Sequence, residues 1–240
     1  MKVLSIGNSF SQDAHRYLHR LAKREGVNLK AVNLDIGGCT LQTHYLNMLD
    51  DVSAYSFELN GENTGIKYSM RQGLVSDDWD FVTLQQASPL SGREESYFPY
   101  IEELAKYVRK YCPNTKIVLH ETWAYENGSE HLKNVGFQTS EEMFTNLQAA
   151  YKRAAQVIEA DGIIPCGTAM YRLSQTEIGR VHRDMCHADL GVGRYSLALT
   201  WYAFLTGKKI SDNTFDEFDV PVSENERLLA IQVVNEIFKG

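Results

Sequence analysis

Three residues of the sequence, Ser9, Asp184 and His187, have the side chains needed for nucleophilic acyl transfer. A serine hydroxyl is a weak nucleophile until a neighbouring imidazole takes its proton, and a carboxylate must hold that imidazole in the right tautomer. Asp184 and His187 are separated by two residues, so on one helical turn their side chains fall on the same side. The spacing therefore predicts an Asp-His pair whose free ring nitrogen faces Ser9.

Each of these residues also has a purely structural interpretation. Ser9 and Asp184 both precede helical patterns, and serine and aspartate are common helix caps. The stretch 182–187 contains histidines, an aspartate and a cysteine, which could ligate a metal. Its spacing matches no zinc signature, so we predict no metal and no cofactor. A catalytic role for Ser9 depends on whether the two ends of the chain meet.

Ser9 is predicted to lie on a turn between a strand and a helix. Residues 3–6 are mostly apolar with β-branched members, Gly7 and Asn8 are turn residues, and residues 11–25 repeat apolar side chains at helical spacing. Such a turn exposes the hydroxyl at the C-terminal edge of a parallel sheet, where open α/β folds bind ligands. The helix N-terminus would also stabilise negative charge there.

Strand and helix patterns alternate along most of the chain. Strands are predicted at residues 3–6, 29–36, 80–84, 116–120 and 162–166, and helices at residues 11–25, 41–49, 95–111, 140–161, 190–205 and 224–238. A polar hairpin at residues 55–70 is predicted to lie outside the main sheet, as an insertion of about residues 52–72. We predict a single domain over residues 1–240, with a three-layer α/β/α, flavodoxin-like fold and a five-stranded, mostly parallel sheet.

The composition excludes several classes of partner. A net charge of −7 without a block rich in lysine and arginine argues against nucleic acid. No apolar run reaches the length of a membrane span, so no membrane partner is expected. No signal peptide is evident, so the chain as written is predicted to be cytoplasmic, although a chain whose leader had been removed would look the same. The sequence indicates no oligomeric state.

Four short motifs follow one another along the chain. They are Gly-Asn-Ser at residues 7–9, Gly38 after the second strand, a polar cluster after the third strand, and Asp-x-x-His at residues 184–187. Their ordered combination resembles the SGNH, or GDSL-like, hydrolase superfamily. Residues 79–82 and 84–88 look like a bacterial branch of that superfamily, common in gut Bacteroidetes and usually described as a domain of unknown function.

The resemblance implies a role for each matching residue. Ser9 matches the nucleophile, in a Gly-Asn-Ser form of the usual Gly-Asp-Ser, and His187 matches the general base and acid. Asp184 matches the carboxylate that orients the histidine. The backbone N–H groups of Ser9 and Gly38 match the oxyanion hole, which stabilises the negative charge of the tetrahedral intermediate.

The third motif departs from the superfamily, which usually has Gly-x-Asn-Asp there. The asparagine of that motif donates to the oxyanion, and no such asparagine follows Leu84. Gln85 and Gln86 are the candidate replacements, since each carries a side-chain amide at a similar place. Loss of one donor costs roughly 3 kcal/mol of transition-state stabilisation. This position therefore bears directly on how efficient the site is.

The residues after the fourth strand are candidates for substrate binding. Thr122 and Trp123 are expected at the same sheet edge as Ser9, and an aromatic ring there would suit a sugar. The resemblance implies a small acyl ester as substrate, with an acylated sugar such as an acetylated carbohydrate as one candidate. The alternative function is a non-catalytic anion- or carbohydrate-binding module with a degenerate hydrolase site, which the irregular third motif favours.

Overall fold

The structure is a computed structural model that describes residues 1–210 and 214–239. Its core is one β-sheet. Residues 211–213 and 240 of the predicted domain lie outside this description. The strands of the sheet are β1 (Lys2–Gly7), β2 (Lys30–Asp35), β3 (Tyr55–Leu59), β4 (Glu62–Tyr68), β5 (Phe81–Leu84), β6 (Lys116–His120) and β7 (Gly162–Ile164). Within the described residues they form a seven-stranded sheet in the order β4-β3-β2-β1-β5-β6-β7.

The five strands predicted from the sequence form the parallel part of this sheet. β1 pairs in parallel with β2 and β5, β5 with β6, and β6 with β7. The side chains of Val3, Leu4 and Ile6 in β1 are fully buried, as expected for a central strand covered on both faces. The carboxyl ends of all five strands therefore meet at one edge, and Ser9 follows β1 at that edge.

The hairpin formed by β3 and β4 is not outside the sheet, so the prediction of five strands was wrong. β3 pairs antiparallel with β2, from Val32 opposite Leu59 to Asp35 opposite Ser56, and β4 pairs with β3. Without β3, the outer edge of β2 would leave its backbone hydrogen-bonding groups unpaired. The full burial of Tyr55 also fits a strand within the sheet.

Helices cover both faces of the sheet, giving the predicted three-layer arrangement. They are α1 (Ser9–Arg24), α2 (Leu41–Asp50), α3 (Met70–Leu74), α4 (Tyr100–Tyr111), α5 (Glu130–Asn134), α6 (Ser140–Val157), α7 (Cys166–Ser174), α8 (Val192–Thr206) and α9 (Glu224–Ile237). α1 packs against α8, which also contacts α7 and α9, whereas α2, α3 and α4 contact one another. None of the described helices is both long enough and apolar enough to cross a membrane.

The start of α7 is capped by the side chain of Glu121, which directly follows β6, rather than by its own preceding residue. Pro165 provides no side-chain cap, and Glu121 Oε1 instead accepts hydrogen bonds from Thr168 N at 2.7 Å and Thr168 Oγ1 at 3.0 Å. Burial raises the pKa of Glu121 to about 7 against the lowering effect of these hydrogen bonds. The carboxyl therefore takes up a proton more readily in the folded protein than in the unfolded chain.

Glu121→Gln is expected to remove part of the pH dependence of stability. Folding raises the pKa of Glu121 from 4.5 to about 7, so the folded protein binds this proton more tightly than the unfolded chain does. The resulting contribution to the free energy of unfolding is present in full below pH 4.5 and is lost as the pH rises through 7. The loss amounts to about 3 kcal/mol in the free energy of unfolding. Urea unfolding at about pH 5 and pH 8 measures it. Glu95→Gln, at an exposed position, should keep the wild-type slope, and an unchanged slope in Glu121→Gln would contradict the assignment.

Candidate active site

The first helix is capped by Asn8 and not by Ser9. Asn8 Oδ1 accepts from Phe10 N at 3.1 Å, and Ser11 Oγ accepts from Asn8 N at 3.1 Å, which together form a capping box. Ser9 is thus the first residue of α1, two residues before the predicted start of the helix. Its hydroxyl is not used as a cap, and its N–H, like others in a first turn, has no acceptor within the helix.

The structure brings Ser9, His187 and Asp184 together in a hydrogen-bonded chain. Ser9 Oγ lies 2.9 Å from His187 Nε2, and His187 Nδ1 lies 2.8 Å from Asp184 Oδ2. In the neutral imidazole with its proton on Nδ1, that nitrogen donates to Asp184 and Nε2 accepts from the Ser9 hydroxyl. Residues that are 178 positions apart in the sequence therefore meet in the order needed for proton transfer from serine to histidine.

Asp184 is held as a carboxylate by the backbone of its own loop. Its Oδ1 accepts from His187 N at 2.7 Å and from Cys186 N at 3.3 Å. Partial burial alone would raise the pKa of Asp184, but the hydrogen bonds from the His187 backbone and ring outweigh it and hold the pKa well below its usual value. The carboxylate therefore stays ionised at neutral pH and can stabilise an imidazolium.

The loop that carries Asp184 and His187 is anchored to α1 by a buried ion cluster. The carboxylate of Asp13, one helical turn after Ser9, is fully buried. It accepts from Arg183 Nη1 at 2.9 Å, from Arg194 Nε at 2.9 Å and from Ala188 N at 3.2 Å. The helix that begins at Ser9 and the loop that carries His187 are therefore joined directly.

Thr122 and Trp123 do not form the predicted substrate wall, because both side chains are fully buried. Trp123 stacks on Phe10, with ring centroids 4.0 Å apart, and its Nε1 donates to Cys186 O at 2.8 Å. The Thr122 hydroxyl accepts from the Tyr151 hydroxyl at 3.4 Å. Trp123 thus supports the loop that carries His187 through its hydrogen bond to Cys186. Neither Thr122 nor Trp123 has an exposed side chain that could contact a substrate.

Gly38 lies in an exposed turn that is tied to the Ser9 turn. Cys39 N donates to Ile36 O at 3.0 Å, and Gly38 has a φ of +66°, which favours glycine. Asn8 Nδ2 donates to Cys39 O at 3.1 Å, so Asn8 links this turn to the start of α1. Within the described residues the Gly38 N–H has no hydrogen-bond acceptor.

The structure places neither Gln85 nor Gln86 as the predicted oxyanion donor, because their amides are buried and occupied elsewhere. Gln85 Nε2 donates to Asn8 Oδ1 at 2.7 Å, and its Oε1 accepts from His120 Nδ1 at 2.8 Å. Gln86 Nε2 donates to the carbonyl and hydroxyl oxygens of Ser96 at 3.0 and 3.1 Å. The longer side chains turn inward from the strand end, and Gln85 supports the residue that caps α1.

Sequence reasoning did not identify Asn8, Asp13 and Arg183 as parts of the site. Asn8 was interpreted only as a turn residue, although asparagine before a helix is a common cap. Asp13 follows Ser9 by four positions and so lies one helical turn away, and Arg183 directly precedes Asp184. These spacings are the signals that could have indicated an acid-arginine pair between the segments that carry Ser9 and His187.

The arrangement brings a serine hydroxyl, an imidazole and a carboxylate into one hydrogen-bonded chain at the sheet edge. These are the parts that acyl transfer requires. The loop also brings Cys186 Sγ to 3.2 Å from His187 Nδ1, so cysteine, histidine and aspartate side chains that could hold a metal lie side by side. Proton transfer from Ser9 to His187 itself needs no metal.

Comparison with known proteins gives a family and a fold. Residues 2–232 match the model of a family described as a domain of unknown function, DUF4886. A search of curated proteins gave no match. A DUF4886 family protein from Bacteroides uniformis, known from a crystal structure, is 35% identical over 100% of this chain and 95% of that chain, with a TM-score of 0.90.

More distant solved structures share the fold. A Slackia heliotrinireducens protein described as a candidate SGNH hydrolase has a TM-score of 0.63 at 21% identity, covering 85% of this chain and 98% of that chain. The acetylxylan esterase Axe2 of Geobacillus stearothermophilus has a TM-score of 0.53 at 13% identity, covering 85% of this chain and 94% of that chain. The chain therefore has the SGNH hydrolase fold.

Proposed function

This chain belongs to the DUF4886 family and has the SGNH hydrolase fold, and on that premise we propose that it is a serine hydrolase that cleaves small acyl esters. The observation that carries the proposal is the hydrogen-bonded chain from Ser9 through His187 to Asp184, with contacts of 2.9 and 2.8 Å. A helix cap would account for none of these contacts, because Asn8 already caps α1.

In the proposed reaction, Ser9 Oγ attacks the ester carbonyl carbon while His187 Nε2 takes the hydroxyl proton. Asp184 stabilises the resulting imidazolium through Nδ1–H. The imidazolium then gives its proton to the leaving alcohol as the ester C–O bond breaks, which leaves an acyl-serine. In the second half, His187 deprotonates a water molecule that attacks the acyl carbon. The bond between that carbon and Ser9 Oγ then breaks, the imidazolium returns its proton to Ser9, and the acid is released.

The oxyanion is proposed to accept hydrogen bonds from the Ser9 and Gly38 N–H groups. Ser9 N–H also lies at the N-terminus of α1, whose dipole favours negative charge. The amide groups of Gln85 and Gln86 already donate to Asn8 and Ser96, so neither residue can replace the asparagine that donates to the oxyanion elsewhere in the superfamily. Loss of one such donor typically lowers kcat by about 100- to 1000-fold, so we expect a lower turnover than a site with three donors would give.

An acetyl ester is the first substrate to test. The acetylxylan esterase shares the fold of this chain, and the acyl-serine mechanism accepts any alcohol that fits. Burial of Trp123 removes the residue that was expected to contact a sugar. The proposal is therefore for a small acyl ester, with an acylated carbohydrate as a candidate to be compared with simple alkyl and aryl acetates.

Incubation with a fluorophosphonate is expected to add one adduct to the protein, on Ser9. The reagent phosphonylates a serine whose hydroxyl is activated by a neighbouring base, and intact-mass spectrometry detects the adduct. Ser9→Ala should give no adduct, whereas Ser53→Ala, at an exposed serine, should react like wild type. Folded wild-type protein that remains unlabelled would contradict the hydrolase and favour the binding module.

A further inference from the structure

The loop that carries His187 also presents metal-binding atoms of three different kinds. One possible ligand atom from each of Asp184, Cys186 and His187 lies within 4.8 Å of the other two, and His187 Nδ1 is 2.8 Å from Asp184 Oδ2 and 3.2 Å from Cys186 Sγ. We infer that this cluster, the Asp-Cys-His cluster, binds Zn²⁺ or a similar borderline divalent cation. When bound, the cation blocks the base of the proposed reaction.

The distances in the Asp-Cys-His cluster are close to those of a tetrahedral zinc site. Zinc bonds of roughly 2.0 Å to nitrogen and oxygen and 2.3 Å to sulfur place neighbouring ligand atoms roughly 3.3 to 3.6 Å apart. The observed separations of 2.8 and 3.2 Å therefore need to open by only about half an ångström. The side chains of Asp184 and His187 are 50% and 27% exposed, so water can reach the fourth position.

The ligand types select the class of cation. Thiolate and imidazole ligands suit zinc, cobalt and copper, whereas magnesium and calcium prefer an all-oxygen shell. Asp184 contributes a negative charge, and the nearest cationic side chain of the loop, Arg183, is already paired with Asp13 at 2.9 Å. Arg180 also donates to the backbone carbonyls of His182 and Arg183 rather than to the cluster.

Binding at this cluster would block the proposed reaction through the histidine tautomer. The cation needs the lone pair of His187 Nδ1, so the single proton of the neutral ring must move to Nε2. Cys186 binds as a thiolate and releases its proton to solvent. Nε2–H can no longer accept the Ser9 proton, and the Asp184 oxygen that oriented the ring is bound to the cation. Inhibition therefore requires no contact between the cation and the substrate.

Titration of the metal-free protein with Co²⁺ tests the binding step without reference to activity. Cobalt bound to a thiolate gives a near-ultraviolet sulfur-to-metal charge-transfer band, and we expect it to saturate at one equivalent per chain. Cys186→Ala should lose the band. Cys112→Ala, which removes a buried thiol elsewhere in the fold, should keep it. Absence of the band in wild type, or its persistence in Cys186→Ala, would overturn the site.

Inhibition by Zn²⁺ tests the second step, which rests on the proposed function. We expect zinc to suppress hydrolysis of an aryl acetate and a chelator to restore it. The half-inhibitory concentration should be at least 10-fold higher in Cys186→Ala, with each variant compared with its own metal-free rate. A cobalt band in a protein that hydrolyses nothing would keep the metal site and overturn the hydrolase. Ester hydrolysis by a protein that gives no cobalt band would keep the hydrolase and overturn the metal site.

Discussion

His187→Ala is expected to lower kcat for an aryl acetate by about 10⁴- to 10⁶-fold. His187 Nε2 is 2.9 Å from Ser9 Oγ, and without it the hydroxyl has no base and the leaving alcohol has no acid. Residues of a triad act as a unit, so the double variant with Ser9→Ala should be no slower than either single variant. Initial rates at saturating substrate measure the effect.

His131→Ala provides the matched control for this prediction, because His131 is an exposed histidine on α5. Its turnover should stay within about twofold of wild type. Circular dichroism and thermal unfolding establish that both variants are folded. A folded His187→Ala protein with more than about a tenth of the wild-type turnover would remove the histidine from the mechanism and leave Ser9 without an activating base.

Asp13→Asn is expected to reduce the free energy of unfolding by about 3 kcal/mol and turnover by at least 10-fold. The substitution keeps the shape of a fully buried side chain but removes the charge that pairs with Arg183 and Arg194. Removal of one partner from a buried ion pair typically costs about 3 to 5 kcal/mol, because the other charges lose their partner. Turnover falls because this carboxylate ties the His187 loop to the helix that begins with Ser9.

Asp216→Asn separates this effect from a general effect of charge. Asp216 pairs with Arg24 at 3.1 Å, but its side chain is 70% exposed, so the variant should lose less than about 1 kcal/mol. Urea unfolding gives the free energies, and rates are measured well below the unfolding transition. Equal stability losses in the two variants would mean that Asp13 has no special structural role. A stable Asp13→Asn protein with normal turnover would mean that the loop is held by other contacts.

The sequence was sufficient to predict the parallel part of the sheet and the segments that carry the site. Both depend on local patterns: apolar runs bounded by turn residues give strands, and a Gly-Asn-Ser turn between a strand and a helix places the half-buried Ser9 at the sheet edge. The three-layer fold and the relationship to a family of unknown function were predicted correctly, as the SGNH-fold structures and the DUF4886 match show. The pairing of the β3–β4 hairpin with β2 was missed, because strand pairing between distant segments leaves no periodic signal.

The direction of individual polar side chains was the other feature that the sequence could not provide. Gln85 and Gln86 follow a strand end whether their amides face the oxyanion or the interior. Only the positions of Asn8 and Ser96, which accept from these amides, show that they turn inward. Trp123 was expected to line a pocket, yet Phe10 and the Cys186 carbonyl cover it. In each case the deciding partner lies far away in the sequence, where propensity and spacing carry no information.

The 178-residue separation between Ser9 and His187 has a consequence during synthesis. A nascent chain can form α1 and the first parallel strands while the segment that carries the imidazole is still unmade, because domains assemble as the ribosome releases them. Until that segment arrives, the Ser9 hydroxyl has no imidazole beside it and, on the proposed mechanism, stays an unactivated alcohol. In the proposed mechanism, Ser9 therefore gains its reactivity only after the segment around residue 187 has been made and has packed against α1.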